Sequence, residues 1–242
     1  MFADVTSQNI VGYKNNDMTI EGSNFKTVSF NLVGYNTADI QQIVLDDGGA
    51  GSIGWGLEAF TIWYGLPEVV DGSEFLYCDS SLDPEEAQTG YYWGDADGYK
   101  QNYVIASGQG VVIECAPDIA INVAGQVPTE KVEFTTVEGS NFSGNPYSAA
   151  IDISNVTIDD GGAGSIGWGL EAFAIWYGLP EVLEGSEFLY CDPSLDPEEA
   201  QAGYYWGDAE GYKKPYSIAP GQGFVIECAE GLTVTIEPPY SL

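Results

Sequence analysis

The sequence predicts an all-β protein: two tandem, near-identical antiparallel β-sandwich or β-roll domains, each with one short helical turn and one disulfide. Three observations carry this. A block of 70 residues, Asp46 to Cys115, recurs without a gap as Asp159 to Cys228 and differs at 11 positions, so 59 are identical. Short runs rich in Val, Ile, Tyr and Phe are separated by Gly, Asp, Ser and Pro, the pattern of strands and turns. The four cysteines, Cys78, Cys115, Cys191 and Cys228, fall two to a copy with the same separation of 37.

The repeat sets the organisation. A length of 242 residues fits two units of about 100–130 residues, and the boundaries are expected at 1–125 and 126–242. Outside the block the match fades but continues, "TIEGSNF" (Thr19 to Phe25) answering "TVEGSNF" (Thr136 to Phe142). The period, about 115, exceeds the 20–50 residues of solenoid repeats.

In the first copy, strands are expected at Lys26 to Tyr35, Ala59 to Gly65, Glu74 to Cys78, Gly90 to Gly94, Gly110 to Ala116 and Ile119 to Gly125. Recurring every 8–15 residues or so, they read as a sandwich or roll. "SLDPEEAQ" (Ser81 to Gln88, again Ser194 to Gln201) predicts the helical turn, with Asp83 as cap, Pro84 opening the first turn and Glu85 and Glu86 at the positive end of the dipole. "DDGGAGSIG" reads as an irregular glycine-rich loop feeding a strand; it has neither the lysine of a P-loop nor a dinucleotide fingerprint.

One disulfide within each copy is the simplest of three connectivities, worth about 4 kcal/mol on the chain-entropy estimate. It implies an oxidising compartment. Zinc is the competing reading, but C-x-x-C spacing and histidine are both missing. The charge is lopsided: 37 acidic residues face six lysines, with no Arg or His, for a net −31. Such a surface repels phosphate backbones and anionic lipids, which excludes nucleic acid as a partner. No run of 18 apolar residues exists to insert into a membrane. "MFADVTSQNIVGY" lacks the regions of a signal peptide, so an exported protein is expected to have lost a leader.

The order "NIVGY", "TVSFNLVGYNTADIQQI", an acidic Gly-rich loop, "GYYWGDADGYK", "IASGQGVVIECA" and "INVAGQV", with "IAPGQGFVIECAEGLTVTI" (Ile218 to Ile236) in the second copy, resembles a secreted β-rich repeat of surface proteins from Verrucomicrobia and Lentisphaerae. The resemblance covers nearly the whole chain and implies export and an extracellular or cell-surface location. It brings no catalytic residues.

Catalysis through Ser-His-Asp or Cys-His needs the histidine this chain lacks, no arginine can clamp an anion, and among so many carboxylates no glycosidase pair stands out. No enzyme activity is expected. No cofactor is expected; the metal weighed against that is calcium, at Asp46, Asp47, Asp159 and Asp160, because hard cations take carboxylate oxygen; "GDADG" (Asp95, Asp97) fails the EF-hand template, and a solvated acidic turn competes at both motifs. Trp55, Trp63, Trp93, Trp168, Trp176 and Trp206, with the tyrosines beside them (Tyr64, Tyr91, Tyr92, Tyr177, Tyr204 and Tyr205), are candidates for sugar stacking, against ordinary core packing.

The reading that follows is a structural subunit that self-assembles head-to-tail into a surface filament or layer. Asn9, Ile10, Val11, Gly12 and Tyr13 would form an assembly strand, because "NIVGYK" stands at the start of the chain where "INVAGQV" stands between the copies. Added to the preceding subunit, it would copy the junction through main-chain hydrogen bonds; pairing within its own domain is the alternative. A carbohydrate-binding module is the other reading. Asn141 and Asn155 sit in N-x-S/T triplets.

Overall fold

The computed structural model describes residues 11–16, 25–29, 37–46, 61–63, 75–79, 90–95, 97–114, 120–126, 128–162, 174–176, 188–191, 203–208 and 210–240. The protein is all-β, and every strand pairing is antiparallel. The first half carries β1 (Val11–Asn16), β2 (Phe25–Ser29), β3 (Thr37–Asp39), β4 (Ile43–Asp46), β5 (Thr61–Trp63), β6 (Phe75–Asp79), β7 (Tyr91–Gly94), β8 (Val104–Ala106), β9 (Gly110–Glu114) and β10 (Ala120–Gln126). The second half carries β11 (Val132–Thr135), β12 (Gly139–Gly144), β13 (Ile151–Asp152), β14 (Val156–Asp159), β15 (Ala174–Trp176), β16 (Phe188–Cys191), β17 (Tyr205–Gly207), β18 (Ser217–Ile218), β19 (Gly223–Cys228) and β20 (Thr233–Ile236).

Each half builds the same three sheets: β1-β10-β4, β2-β9-β5-β6-β7 and β3-β8, then β11-β20-β14, β12-β19-β15-β16-β17 and β13-β18. The six strands expected in the first copy correspond to β2, β5, β6, β7, β9 and β10. The short β3, β4 and β8 give too little alternation to be read from sequence. Among the described residues the helical elements are two 3-10 turns, Ile40–Gln42 and Ile153–Asn155, capped by the side chains of Asp39 and Asp152. The turns expected at Ser81 to Gln88 and Ser194 to Gln201 lie outside the described residues.

The second half packs one main core: Tyr147, Ile153, Val156, Phe188, Tyr190, Trp206, Phe224, Ile226, Val234 and Ile236 are all buried in it. Burial of these side chains is the dominant stabilising term. The Tyr147 hydroxyl sits inside this core and donates its one proton to the Ile236 carbonyl at 2.7 Å, with the Glu130 carbonyl also within reach at 3.0 Å, and burial pushes its pKa above the ordinary tyrosine range.

The predicted disulfides are corrected by register. Ala174 on β15 faces Leu189 on one side and Glu227 on the other, so these three share a face of the sheet. Cys191 shares the parity of Leu189, whereas Cys228 is one residue past Glu227 and lies on the opposite face. The cores agree: Cys191 packs with Leu189 and Tyr205, Cys228 with the main core. Two strand spacings, about 9–10 Å, also exceed the Cα separation of about 4.4–6.8 Å that a disulfide spans. Cys78, Cys191 and Cys228 are buried thiols, and burial raises the pKa of Cys228; Cys115 lies outside the described residues. The oxidising compartment inferred from disulfides loses that support. Millimolar dithiothreitol is therefore expected to leave the melting temperature unchanged; a fall of several degrees would mean that a bond had been broken.

Of the expected assembly strand, three residues pair within their own half, the alternative reading of that segment. Val11, Gly12 and Tyr13 pair with Gln126, Gly125 and Ala124 on β10 of the same half, as β11 pairs with β20 in the second half. "NIVGYK" thus corresponds to the β11 segment, not to the junction. Asn9 and Ile10 lie outside the described residues. The halves meet through β2 and β9 against β12 and β19, every cross pair being in contact. Strands at matching positions in the two halves face one another. At its tightest point a Cβ on Gly110 would lie 2.3 Å from the Ser143 carbonyl oxygen, and the Ser143 hydroxyl donates to the Gly108 carbonyl at 2.8 Å.

Candidate functional site

A groove of about 380 Å³ opens in the second half, lined among others by Asp152, Ser154, Tyr190, Tyr204, Trp206 and Lys214. Its floor is built by β16 and β17. Tyr190 faces Trp206 across the ladder, and their rings pack with centroids 4.9 Å apart. Tyr204, 37% exposed, stacks on Tyr190 at 5.6 Å with 18° between the planes. One ring face is therefore held rigid from below, as a stacking platform requires. Burial, reinforced by the Asp159 carboxylate and the Tyr204 hydroxyl, keeps the Tyr190 pKa above the usual tyrosine value; a backbone hydrogen bond at Ile158 works the other way.

The wall opposite comes from the turn "GDAEGYKK" (207–214). Asp208 Oδ1 accepts from the backbone N–H of Glu210 and Tyr212 at 3.2 and 2.9 Å, an Asx-type closure that folds the chain back on itself. Gly207 is needed because a Cβ there would meet the Tyr212 carbonyl oxygen at 2.8 Å and Cys191 Sγ at 3.2 Å. The returning chain then bonds β17 through Lys214 N–H and the Trp206 carbonyl, 3.0 Å, bringing Lys213 and Lys214, two of the six lysines, to the groove. The third wall is the 3-10 turn, where Asp152 Oδ1 accepts from the Ser154 N–H at 2.9 Å and hydroxyl at 2.7 Å.

The tryptophans expected to stack sugars do not form this surface. Trp93 and Trp206 are 0% and 2% exposed and donate from Nε1 to the carbonyls of Ile43 and Val156 at 2.8 and 2.6 Å. They are core residues. Trp63 and Trp176 lie in β5 and β15, and Trp55 and Trp168 lie outside the described residues. Tyrosines take the exposed role: Tyr91, Tyr99, Tyr204 and Tyr212 are all more than a third exposed.

Two of the four carboxylates proposed for calcium hold turns. Asp159 Oδ1 accepts from the Gly161 N–H at 2.8 Å and Asp160 Oδ1 from the Gly162 N–H at 2.9 Å. Asp46 ends β4 opposite Ala120, and Asp47 lies outside the described residues. Asp95 Oδ1 accepts from Asp97 and Tyr99 N–H, and Oδ2 from Gln101 Nε2. Among the described residues no group of three or more Cys, Asp or Glu is arranged to hold a metal ion, and no helix is long and apolar enough to cross a membrane. Of the two glycosylation triplets, Asn141 is 8% exposed and its Nδ2 bonds the carbonyls of Val137 and Gly139 at 3.0 Å each. The Asn155 amide makes a long contact of 3.4 Å to the Glu237 carbonyl.

Tyr204 is among the aromatics that the sequence offers for stacking, whereas nothing in the sequence reading points to Ser154 or Lys214. A signal exists: extending the repeat backwards aligns "DIQQIVLDD" (39–47) with "DISNVTIDD" (152–160), exposing Gln41 against Ser154 just outside the 70-residue block. Comparison of the chain with protein-family models, with curated proteins and with solved structures finds no match.

Proposed function

We propose that this is a saccharide-binding protein, built from two copies of one duplicated β unit, whose site is the groove between Tyr204, Ser154 and Lys214. The observation that carries the reading is the stacked Tyr190–Tyr204 pair, a rigid aromatic face at the mouth of a groove whose other walls carry carboxylate, hydroxyl and ammonium groups. Sugar rings present an apolar face to an aromatic ring and hydroxyls to the polar rim. The resemblance to secreted surface repeats and the heavily acidic composition support an extracellular setting. Assembly by strand donation is not part of the proposal, because Val11–Tyr13 already pair with β10.

A glycan array followed by titration of the best oligosaccharide tests this. Tyr204→Ala is expected to weaken that ligand roughly twofold to tenfold, the range that corresponds to one aromatic contact. Retention of full affinity by the variant, or an array without binding, contradicts the reading.

A further inference from the structure

The first half shows what the groove is shaped to hold. There Gln41 Nε2 donates to the carbonyls of Trp93 at 2.8 Å and Gln101 at 2.5 Å, and its Oε1 accepts from the Trp93 N–H at 3.0 Å. One carboxamide therefore makes a three-point contact, two to Trp93 on the outward edge of β7 and one to the returning chain at Gln101. Ser154 occupies the matching position in the second half, on the matching 3-10 turn. Its side chain has two heavy atoms against the five of glutamine and carries no amide, and its hydroxyl is turned back onto Asp152.

The backbone frame is otherwise kept. Trp206 faces Tyr190 as Trp93 faces Tyr77, and the Trp206 carbonyl accepts from Lys214 N–H as the Trp93 carbonyl accepts from Gln101 N–H, both at 3.0 Å. In extended chain the N–H and C=O of one residue point to the same side. The Trp206 N–H therefore aims where the Gln41 amide lies in the first half, and in the second half that space is the groove lined by Ser154, Trp206 and Lys214. A backbone N–H that faces a groove is a donor on offer to whatever fills it, and a ligand carbonyl that displaces solvent must satisfy it.

We infer that the second-half groove is a receptor for an acetamido group, and, resting on the saccharide reading above, that the ligand is an N-acetylated sugar. The acetamido oxygen takes the Trp206 N–H and its N–H donates to the Lys214 carbonyl, reproducing two of the three Gln41 contacts. The third is not needed, because the Trp206 carbonyl already has the Lys214 N–H. The methyl group packs against Ile153 and Val156, buried residues of the lining, and the ring stacks on Tyr204.

The test is calorimetric titration of the full chain with an N-acetylhexosamine disaccharide and with the hexose disaccharide of the same linkage. The acetylated sugar is expected to bind roughly tenfold or more tightly, two hydrogen bonds being the difference. Ser154→Gln, which rebuilds the first-half arrangement, is expected to abolish binding while melting at or above the wild-type temperature. Equal affinity for both sugars, or undiminished binding by a folded Ser154→Gln, overturns the acetamido assignment and leaves the saccharide reading standing. If neither disaccharide nor any array glycan binds, both fall; a glutamine-bearing peptide that binds where sugars do not would put a primary carboxamide in the groove instead.

Discussion

Trp206→Ala is expected to unfold the second half of the chain at ordinary temperature. The indole is 2% exposed, packs 4.9 Å from the Tyr190 ring and holds the Val156 carbonyl through Nε1 at 2.6 Å. Truncating a buried tryptophan costs about 3–5 kcal/mol, and abandoning a buried carbonyl adds about 1–3 kcal/mol. Together these approach the whole stability of an ordinary domain, about 5–15 kcal/mol. Trp93→Ala is expected to do the same to the first half, because Trp93 is fully buried and bonds the Ile43 carbonyl at 2.8 Å. Urea titration followed by near-ultraviolet circular dichroism reads the loss. A midpoint within the error of wild type would show that the indole is not a core element.

The second large effect is on salt. A formal net charge of −31 is confined to a smaller volume when the chain is folded than when it is not, so self-repulsion opposes folding. The exposed pair Lys131–Glu133, 2.7 Å apart, offsets little of it, since surface ion pairs contribute about 0–1 kcal/mol. Raising sodium chloride from about 0.01 M to 1 M shortens the screening length from about 30 Å to about 3 Å. The melting temperature is therefore expected to rise, on the order of 5–10 °C if screening recovers about 2–3 kcal/mol. A flat or falling dependence would mean that the carboxylates are compensated in the fold.

Strand positions were readable because turn residues bracket short β-branched and aromatic runs: Phe75–Asp79 and Tyr91–Gly94 fall where the pattern puts them. Cysteine pairing was not readable, because equal spacing in two copies says nothing about parity, and one residue of parity sends Cys191 and Cys228 to opposite faces of a sheet. The partner of β1 is not legible in the likeness of "NIVGYK" to another string, because strand pairing is set by the fold; β10 pairs with both β1 and β4. Among the adjacent aromatics in "GYYWG", all of them stacking candidates, the sequence does not say which one stays exposed. Alternation buries Trp206 in the main core and Tyr205 on the other face, while Tyr204, just before the strand, stays at the surface. The groove itself depends on one difference between the halves, glutamine at 41 and serine at 154, and a block of 59 identities draws attention to what the halves share.

The backbone amide of Trp206 reports most directly on the proposed site. In a ¹H–¹⁵N correlation spectrum, titration with an N-acetylhexosamine disaccharide is expected to move the Trp206 amide resonance saturably and leave that of Trp93, already bonded to Gln41, in place. A Trp206 resonance that stays still while sugar binds, or Trp93 and Trp206 moving alike, would contradict the account.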